Sequence, residues 1–200
     1  MSSLRALSEA IAARDPYTRW HSDRVAVLAH AVADRLGCDQ RRLRVLRVGG
    51  ALHDIGKLAV AEAILAKPGP LTDAELAEVR AHPEVGARIV ARVPALRPAL
   101  PGVLYHHERW DGLGYPSRRR GHEIPLEARI LAVADAYEAM IADRPYRAGM
   151  SDADARAELL RCAGTQFDPE VVEAFLSART GVEALAAGEP DAPRARAAAA

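Results

Sequence analysis

Apolar residues recur at every third or fourth position along much of the chain, a spacing that is typical of amphipathic helices. One such run predicts a helix over roughly 20–36, with His21 at its start. The next predicts a helix over 40–54 that carries His53 and Asp54 at its C-terminal end. The pattern therefore places polar, chemically active side chains at the ends of apolar helices.

Turn and capping residues divide the rest of the chain. Lys67-Pro-Gly-Pro70 predicts a turn, and Thr72 with Glu75 forms a capping box that opens the following helix. The glycine-rich stretch 109–124 lacks any period and predicts a long ordered loop. Further helices are expected from His82-Pro83, over 97–108 to the His-His pair, from Pro125 to about 142, from Ser151 and from Asp168-Pro169.

The composition favours an all-α fold in one domain. Half of the 200 residues are apolar but only 4% are aromatic, so helix-forming residues dominate over those that favour strands. From Gly188 onward the sequence is rich in alanine and proline, and we expect that end to be disordered.

The formal net charge is zero, which argues against a nucleic-acid polymer or a membrane surface as partner. Arginine groups at 41–47 and 118–120 are expected to be solvated faces, with an anionic partner as the alternative. Cys38 and Cys162 have neither metal-binding spacing nor a disulfide framework. The N-terminal residues lack the apolar core of a signal peptide, and no apolar run approaches transmembrane length. These features predict a cytoplasmic protein.

Histidines and acids occur together in short stretches of the sequence. Five of the seven histidines lie in such stretches: His21, His53, His82, His106 and His107. The other two, His30 and His122, are expected to be ordinary core or surface residues. Asp135 lies in an otherwise apolar helix, where an unpaired carboxylate is costly to bury, although it could also face solvent. Nitrogen and oxygen donors of this number suit iron, manganese or zinc better than magnesium or calcium. We therefore expect a site for more than one metal ion.

Several long motifs follow one another in a fixed order: His53-Asp-Ile-Gly-Lys57, His82-Pro-Glu-Val-Gly86, His106-His-Glu-Arg-Trp-Asp-Gly-Leu-Gly-Tyr-Pro116, Ile124-Pro-Leu-Glu-Ala-Arg-Ile-Leu-Ala-Val-Ala-Asp-Ala-Tyr137 and Arg144-Pro-Tyr-Arg147. Together they resemble the HD-GYP family, a branch of the HD metal-dependent phosphohydrolases. The resemblance implies an HD-domain helical bundle with the HD-GYP extension, and a phosphodiesterase acting on cyclic di-GMP. It also implies a domain over 14–178, with a lead-in over 1–13 and a C-terminal tail over 179–200.

The resemblance further implies the residues of the site. Asp54 would bridge two ions, His82, His106 and His107 would complete one site, and His53 and Asp135 would serve the other. His21 is implied as a further ligand, with a supporting or capping role as the alternative. Asp54 and Lys57 are implied to be catalytic. Substrate contacts are implied for Lys57, Tyr115, Arg144 and Arg147, with a solvated helix end as the alternative for the two arginines.

Two departures from the family change the expectation. Some members carry a glutamate four residues before the first histidine, where it helps to hold a third ion, but this chain has Tyr17 there. We therefore expect two divalent ions, iron or manganese, with zinc left open. Members also often carry a receiver or sensor domain, for which 200 residues leave no room. A separate sensor or receiver protein or a diguanylate cyclase is thus an expected partner, and a homodimer stays open.

The function expected is hydrolysis of cyclic di-GMP to pGpG, with a second cut to GMP left open. One alternative is an HD phosphohydrolase acting on another cyclic dinucleotide. The other is a scaffold that senses cyclic di-GMP or docks a cyclase without hydrolysis. The complete set of ligand positions favours the enzyme.

Overall fold

The computed structural model describes residues 16–143 and 148–178, with side chains from Trp20 onward. Within those ranges the chain is helical and forms no strand, only an isolated bridge between Ala163 and Phe167. The all-α prediction is confirmed. The predicted disordered end lies outside the described residues. The α-helices are α1 (Pro16–Arg35), α2 (Gln40–Leu52), α3 (Glu62–Leu65), α4 (Asp73–Arg80), α5 (His82–Ala91), α6 (Leu100–Tyr105), α7 (Leu126–Ile141), α8 (Asp152–Arg161) and α9 (Pro169–Ser177).

Helix starts follow the local signals in the sequence. The capping box of Thr72 and Glu75 opens α4, with both of its hydrogen bonds formed. Pro83 lies in the first turn of α5. Ser151 and Asp168 cap α8 and α9 by accepting backbone N–H groups with their side chains. These starts are predictable because a cap depends on residues that are close in sequence.

Two predicted helices differ in their bounds. The helix expected over 20–36 begins at Pro16, so His21 lies in its second turn. The helix expected over 97–108 covers only Leu100–Tyr105, and a 3-10 helix over Pro94–Ala99 leads into it. Pro101 has no N–H to donate to the carbonyl group of Arg97, so an α-helix from residue 97 cannot continue and a new helix begins at Leu100. The His-His pair consequently follows the end of a short helix.

The helix that carries the His-Asp pair also ends slightly earlier than expected. Leu52 is the last residue of α2, and His53 and Asp54 lead into a 3-10 helix over Ile55–Ala59. At Gly56 this segment packs directly on α5, since a Cβ atom there would lie 1.9 Å from the carbonyl oxygen of His82. The close approach brings His53 and Asp54 beside His82.

Two apolar clusters flank the polar side chains. The larger one joins α1, α2, α7, α8 and α9 and includes Leu28, Leu46, Ile130, Tyr137 and Phe175. The smaller one joins the end of α2, α5 and α6 and consists of Leu52, Ile55, Val90, Leu96 and Val103. Burial of each large side chain stabilises the fold by about 1.5–3 kcal/mol. In the described ranges no helix is both long and apolar enough to cross a membrane.

Candidate metal centre

All seven side chains predicted as metal ligands come together. His21 lies on α1, His53 and Asp54 follow α2, His82 opens α5, His106 and His107 follow α6, and Asp135 lies on α7. Six of them form two groups of potential ligand atoms, each within 4.8 Å: Asp54, His82, His106 and His107, and His21, His53 and Asp54. Asp135 lies beside the second group, with Oδ1 at 3.0 Å from Nε2 of His21 and 3.8 Å from Nε2 of His53. Asp54 belongs to both groups.

Three of the histidines are held in the same way. In each, Nδ1 lies against the carbonyl oxygen three residues earlier, at 2.8 Å for His53, 2.7 Å for His82 and 2.8 Å for His106. A carbonyl only accepts, so Nδ1 carries the proton and Nε2 offers a lone pair. The backbone therefore leaves three Nε2 atoms as donors, with those of His82 and His106 facing each other and that of His53 facing Asp54.

The resulting contacts fit a cation. Nε2 of His82 and Nε2 of His106 are 3.3 Å apart, and two lone pairs at that distance repel unless positive charge lies near both. Nε2 of His53 is buried and has no hydrogen-bond partner within the described chain. Buried polar atoms without partners are rare and costly. Nitrogen donors completed by a carboxylate suit a transition metal, so these residues fit the implied ions.

The two oxygens of Asp54 face different groups. Oδ1 is 3.3 Å from Nε2 of His82, whereas Oδ2 is 3.4 Å from Nε2 of His53 and 4.0 Å from Nε2 of His21. Lys57 also lies beside Oδ2, with its Nζ at 2.6 Å. Asp54 is thus placed to contact two cations at once.

The histidine of α1 lies between two carboxylates of α7. Nε2 of His21 is 3.0 Å from Oδ1 of Asp135, and its Nδ1 contacts Oε2 of Glu138. Asp135 is therefore turned toward the centre and paired, not left on a solvent-facing side. Glu138 is a site residue that was not predicted from the sequence, although its position three residues after Asp135 puts it on the same helix face.

Burial and the neighbouring charges shift the pKa values of His21 and Asp54 in opposite directions. Burial lowers the pKa of His82 and of His106, and lowers that of His107 to about 4, so these rings are neutral donors at pH 7. Burial alone would lower the pKa of His21 too, but Asp135 and Glu138 raise it to about 10. Burial would raise the pKa of Asp54, but Lys57 and His53 hold it well below its usual range. Carboxylates thus draw positive charge to the His21 side.

A second missed carboxylate holds the loop beside the centre. Glu108 is buried and accepts the backbone N–H groups of Ser117 at 2.7 Å and of Arg119 at 3.1 Å. The ring of Tyr115 stacks on His107, with centroids 4.8 Å apart at 24°. The position of Glu108 directly after the His-His pair was the available signal. This loop, over 109–124, is ordered as predicted, with one 3-10 turn at Gly121–Glu123.

The predicted substrate contacts are partly described. Lys57 is half-buried next to Asp54, and Tyr115 lies against His107. Arg144 and Arg147 lie outside the described residues. The two histidines interpreted as ordinary residues lie away from the centre, with His30 half-buried and His122 exposed beside Trp110.

The chain is similar to a known family and to several named phosphodiesterases. The model of the HD domain family matches residues 5–171. Cyclic di-GMP phosphodiesterase PA4108 of Pseudomonas aeruginosa is 43% identical over 165 residues, which is 82% of this chain and 40% of that protein. The 3′3′-cGAMP-specific phosphodiesterase 3 of Vibrio cholerae is 39% identical over 173 residues, which is 86% of this chain and 38% of that protein.

Among solved structures, a cyclic GMP-AMP-specific phosphodiesterase of Vibrio cholerae, V-cGAP3, superposes with a TM-score of 0.64 at 18% sequence identity. The match covers 82% of this chain and 45% of that one, and it shows that the two share a fold. The chain thus spans less than half the length of each of these three proteins.

Proposed function

The chain belongs to the HD domain family and to its HD-GYP branch, and on this basis we propose that it is a metal-dependent phosphodiesterase that hydrolyses cyclic di-GMP to pGpG. One observation carries the proposal: two groups of buried or half-buried nitrogen and oxygen donors share the carboxylate of Asp54. Paired metal sites that share a ligand are typical of enzymes that cleave phosphate esters.

We propose two divalent ions, iron or manganese, with zinc also compatible with these donors. His82, His106 and His107 would hold one ion with Asp54. His53, Asp135 and His21 would hold the other, with Asp54 again. The two carboxylates that face the ring of His21, those of Asp135 and Glu138, support a cation on that side.

Bound divalent ions supply Lewis acidity, which lowers the pKa of a coordinated water and neutralises phosphate charge. The chain's own residues position the reaction. Asp54 holds its two oxygens toward the two groups, and Lys57 places an ammonium at 2.6 Å from Oδ2 of Asp54. This ammonium is half-exposed, so it can also reach a substrate phosphate and offset the charge that develops there. Arg144 and Arg147 are proposed as further phosphate contacts.

A second candidate substrate is 3′3′-cGAMP, because a relative named for that substrate is 39% identical to this chain. The scaffold alternative requires no bound metal, so metal content separates it from both enzymes. We also propose a cytoplasmic location and regulation through a diguanylate cyclase or a separate sensor or receiver protein.

The test is reconstitution of the anaerobically purified protein with iron(II) or manganese(II), followed by chromatography of products from cyclic di-GMP and 3′3′-cGAMP. We expect pGpG, or GMP after a second cut, from the wild type and none from Asp54→Ala. Bound metal without turnover of either substrate would contradict the proposed activity. Absence of metal and turnover together would favour the scaffold.

A further inference from the structure

A pocket of about 380 Å³ opens beside the metal centre. Its lining consists of Arg80, Leu113, Gly114, Tyr115, Pro116 and Arg118. Two arginines therefore face an apolar and aromatic wall, in a cavity of the size range that small ligands occupy.

The wall of the pocket also contacts the centre. Tyr115 lines the pocket and stacks on His107, with ring centroids 4.8 Å apart. Leu113 is 78% exposed, which leaves a large apolar side chain for a ligand to cover. A molecule in this pocket would thus lie one aromatic ring away from the proposed metal ligands.

Both arginines are available to a ligand. Arg80 lies near Tyr115, with its guanidinium carbon 5.5 Å from the ring centroid. Neither the guanidinium group of Arg80 nor that of Arg118 forms a hydrogen bond or an ion pair with any other residue that the structure describes. In an arginine that forms an ion pair within the protein, the N–H donors are already occupied. The guanidinium groups of Arg80 and Arg118 instead have N–H donors that can bind a ligand.

The backbone at Arg118 is held in an unusual conformation by hydrogen bonds to Glu108. It has a positive φ of 54°, which is unfavourable for a residue with a side chain. Glu108 accepts the N–H groups of Ser117 and Arg119, the two residues on either side. A buried carboxylate thus fixes the backbone around Arg118 in this conformation, and backbone conformations of this kind are concentrated at ligand sites.

We propose that this pocket binds a guanine base of the cyclic dinucleotide and selects guanine over adenine, an inference that rests on the proposed function. Guanine presents two adjacent acceptors, O6 and N7, to which arginine donates two parallel hydrogen bonds. Adenine presents an amino group in place of O6, which an arginine N–H cannot use. The apolar wall of Leu113, Tyr115 and Pro116 suits the flat faces of a base. A dinucleotide joins base and phosphate through one ribose, which matches a base pocket beside a metal centre.

The test compares three phosphodiesters on the manganese-loaded protein: cyclic di-GMP, cyclic di-AMP and bis(p-nitrophenyl) phosphate, which has no base. In Arg80→Ala and in Arg80→Ala/Arg118→Ala, kcat/KM for cyclic di-GMP should fall about ten-fold or more. That fall should be much larger than the fall for bis(p-nitrophenyl) phosphate, and the preference over cyclic di-AMP should shrink. Arg80→Lys keeps the charge but loses the fork, so it should show most of the same loss.

Arg88→Ala is the matched control, because Arg88 is an exposed arginine of α5 outside the pocket. It should behave as the wild type with all three substrates. Equal losses with every substrate in the Arg80 variants, or no loss with any, would overturn the proposal.

A binding experiment separates failure of the pocket proposal from failure of the proposed activity. If the wild type cleaves no cyclic dinucleotide, calorimetric titration of the same loaded protein still tests the pocket. Tighter binding of cyclic di-GMP than of cyclic di-AMP, lost in Arg80→Ala, would support the base site alone. Equal binding of the two nucleotides would overturn it.

Discussion

Nδ1 of His21 contacts Oε2 of Glu138, although 117 residues separate them along the chain. The contact joins α1 to α7 inside the metal centre. A carboxylate only accepts, so Nδ1 of His21 donates to Glu138 while Nε2 faces Asp135 and Asp54. Glu138 thus positions a proposed ligand in the way that second carboxylates orient metal-binding histidines.

Substitution of Glu138 should weaken metal binding with little change in fold. Glu138→Ala should lower metal affinity by about 10–100-fold, whereas Glu138→Gln keeps an acceptor oxygen and should recover most of it. Titration against a competing chelator measures this, with circular dichroism as a check on helix content. Glu127→Ala is the control, since Glu127 lies on the same helix but pairs with Arg42. Unchanged affinity in Glu138→Ala would contradict the positioning role.

The two ligand groups predict selective loss of metal. His106→Ala alters only the group with His82 and His107, and His21→Ala alters only the group with His53, while Asp54→Ala alters both. From about two ions per chain in the wild type, elemental analysis should find one lost in each histidine variant and both lost in Asp54→Ala. His122→Ala, at an exposed site, should keep the wild-type content. Loss of all metal in both histidine variants would argue against separate groups.

The sequence predicts the parts of this molecule that depend on nearby residues. The cap at Thr72 and the histidine–aspartate pair at 53–54 are both readable from short stretches. The partnership of Glu138 with His21 is not, because it exists only once α1 and α7 pack together. The helix expected over 97–108 is confined to Leu100–Tyr105, because Pro101 has no N–H to donate to the carbonyl group of Arg97.

Gly56 predicts a site where one methyl group should disturb both stability and metal binding. A Cβ atom there would lie 1.9 Å from the carbonyl oxygen of His82 and 2.6 Å from the amide nitrogen of Gly86. Backbone atoms cannot move aside cheaply, so Gly56→Ala should destabilise the fold by about 1–3 kcal/mol or more and displace His82. Gly69→Ala, with nothing within 4 Å, is the control. Urea unfolding and metal titration of both variants test this, and similar results for the two would contradict it.

Loss of Glu108 should loosen the loop that carries Tyr115. Glu108→Ala leaves the N–H groups of Ser117 and Arg119 without their acceptor, at a cost of about 1–3 kcal/mol. Hydrogen exchange at these two amides should accelerate, while exchange in α7 stays slow. Glu123→Ala removes a similar bond at an exposed turn and should not affect the amide of Ser117. Unchanged exchange at Ser117 in Glu108→Ala would show that the carboxylate does not hold the loop.

The capping box of α4 predicts a pH-dependent contribution to stability. Hydrogen bonds from Lys67 and Thr72 lower the pKa of Glu75 from 4.5 to about 2. Because the folded-state pKa is depressed, the contribution is complete above the unfolded pKa and is lost as pH falls from about 4.5 toward 2. For metal-free protein, the difference in urea midpoint between wild type and Glu75→Gln should be largest at pH 6 and shrink by pH 3. In a Lys67→Met background the difference should be smaller at pH 6. A difference that stays constant with pH would mean that the charge of Glu75 contributes nothing to the cap.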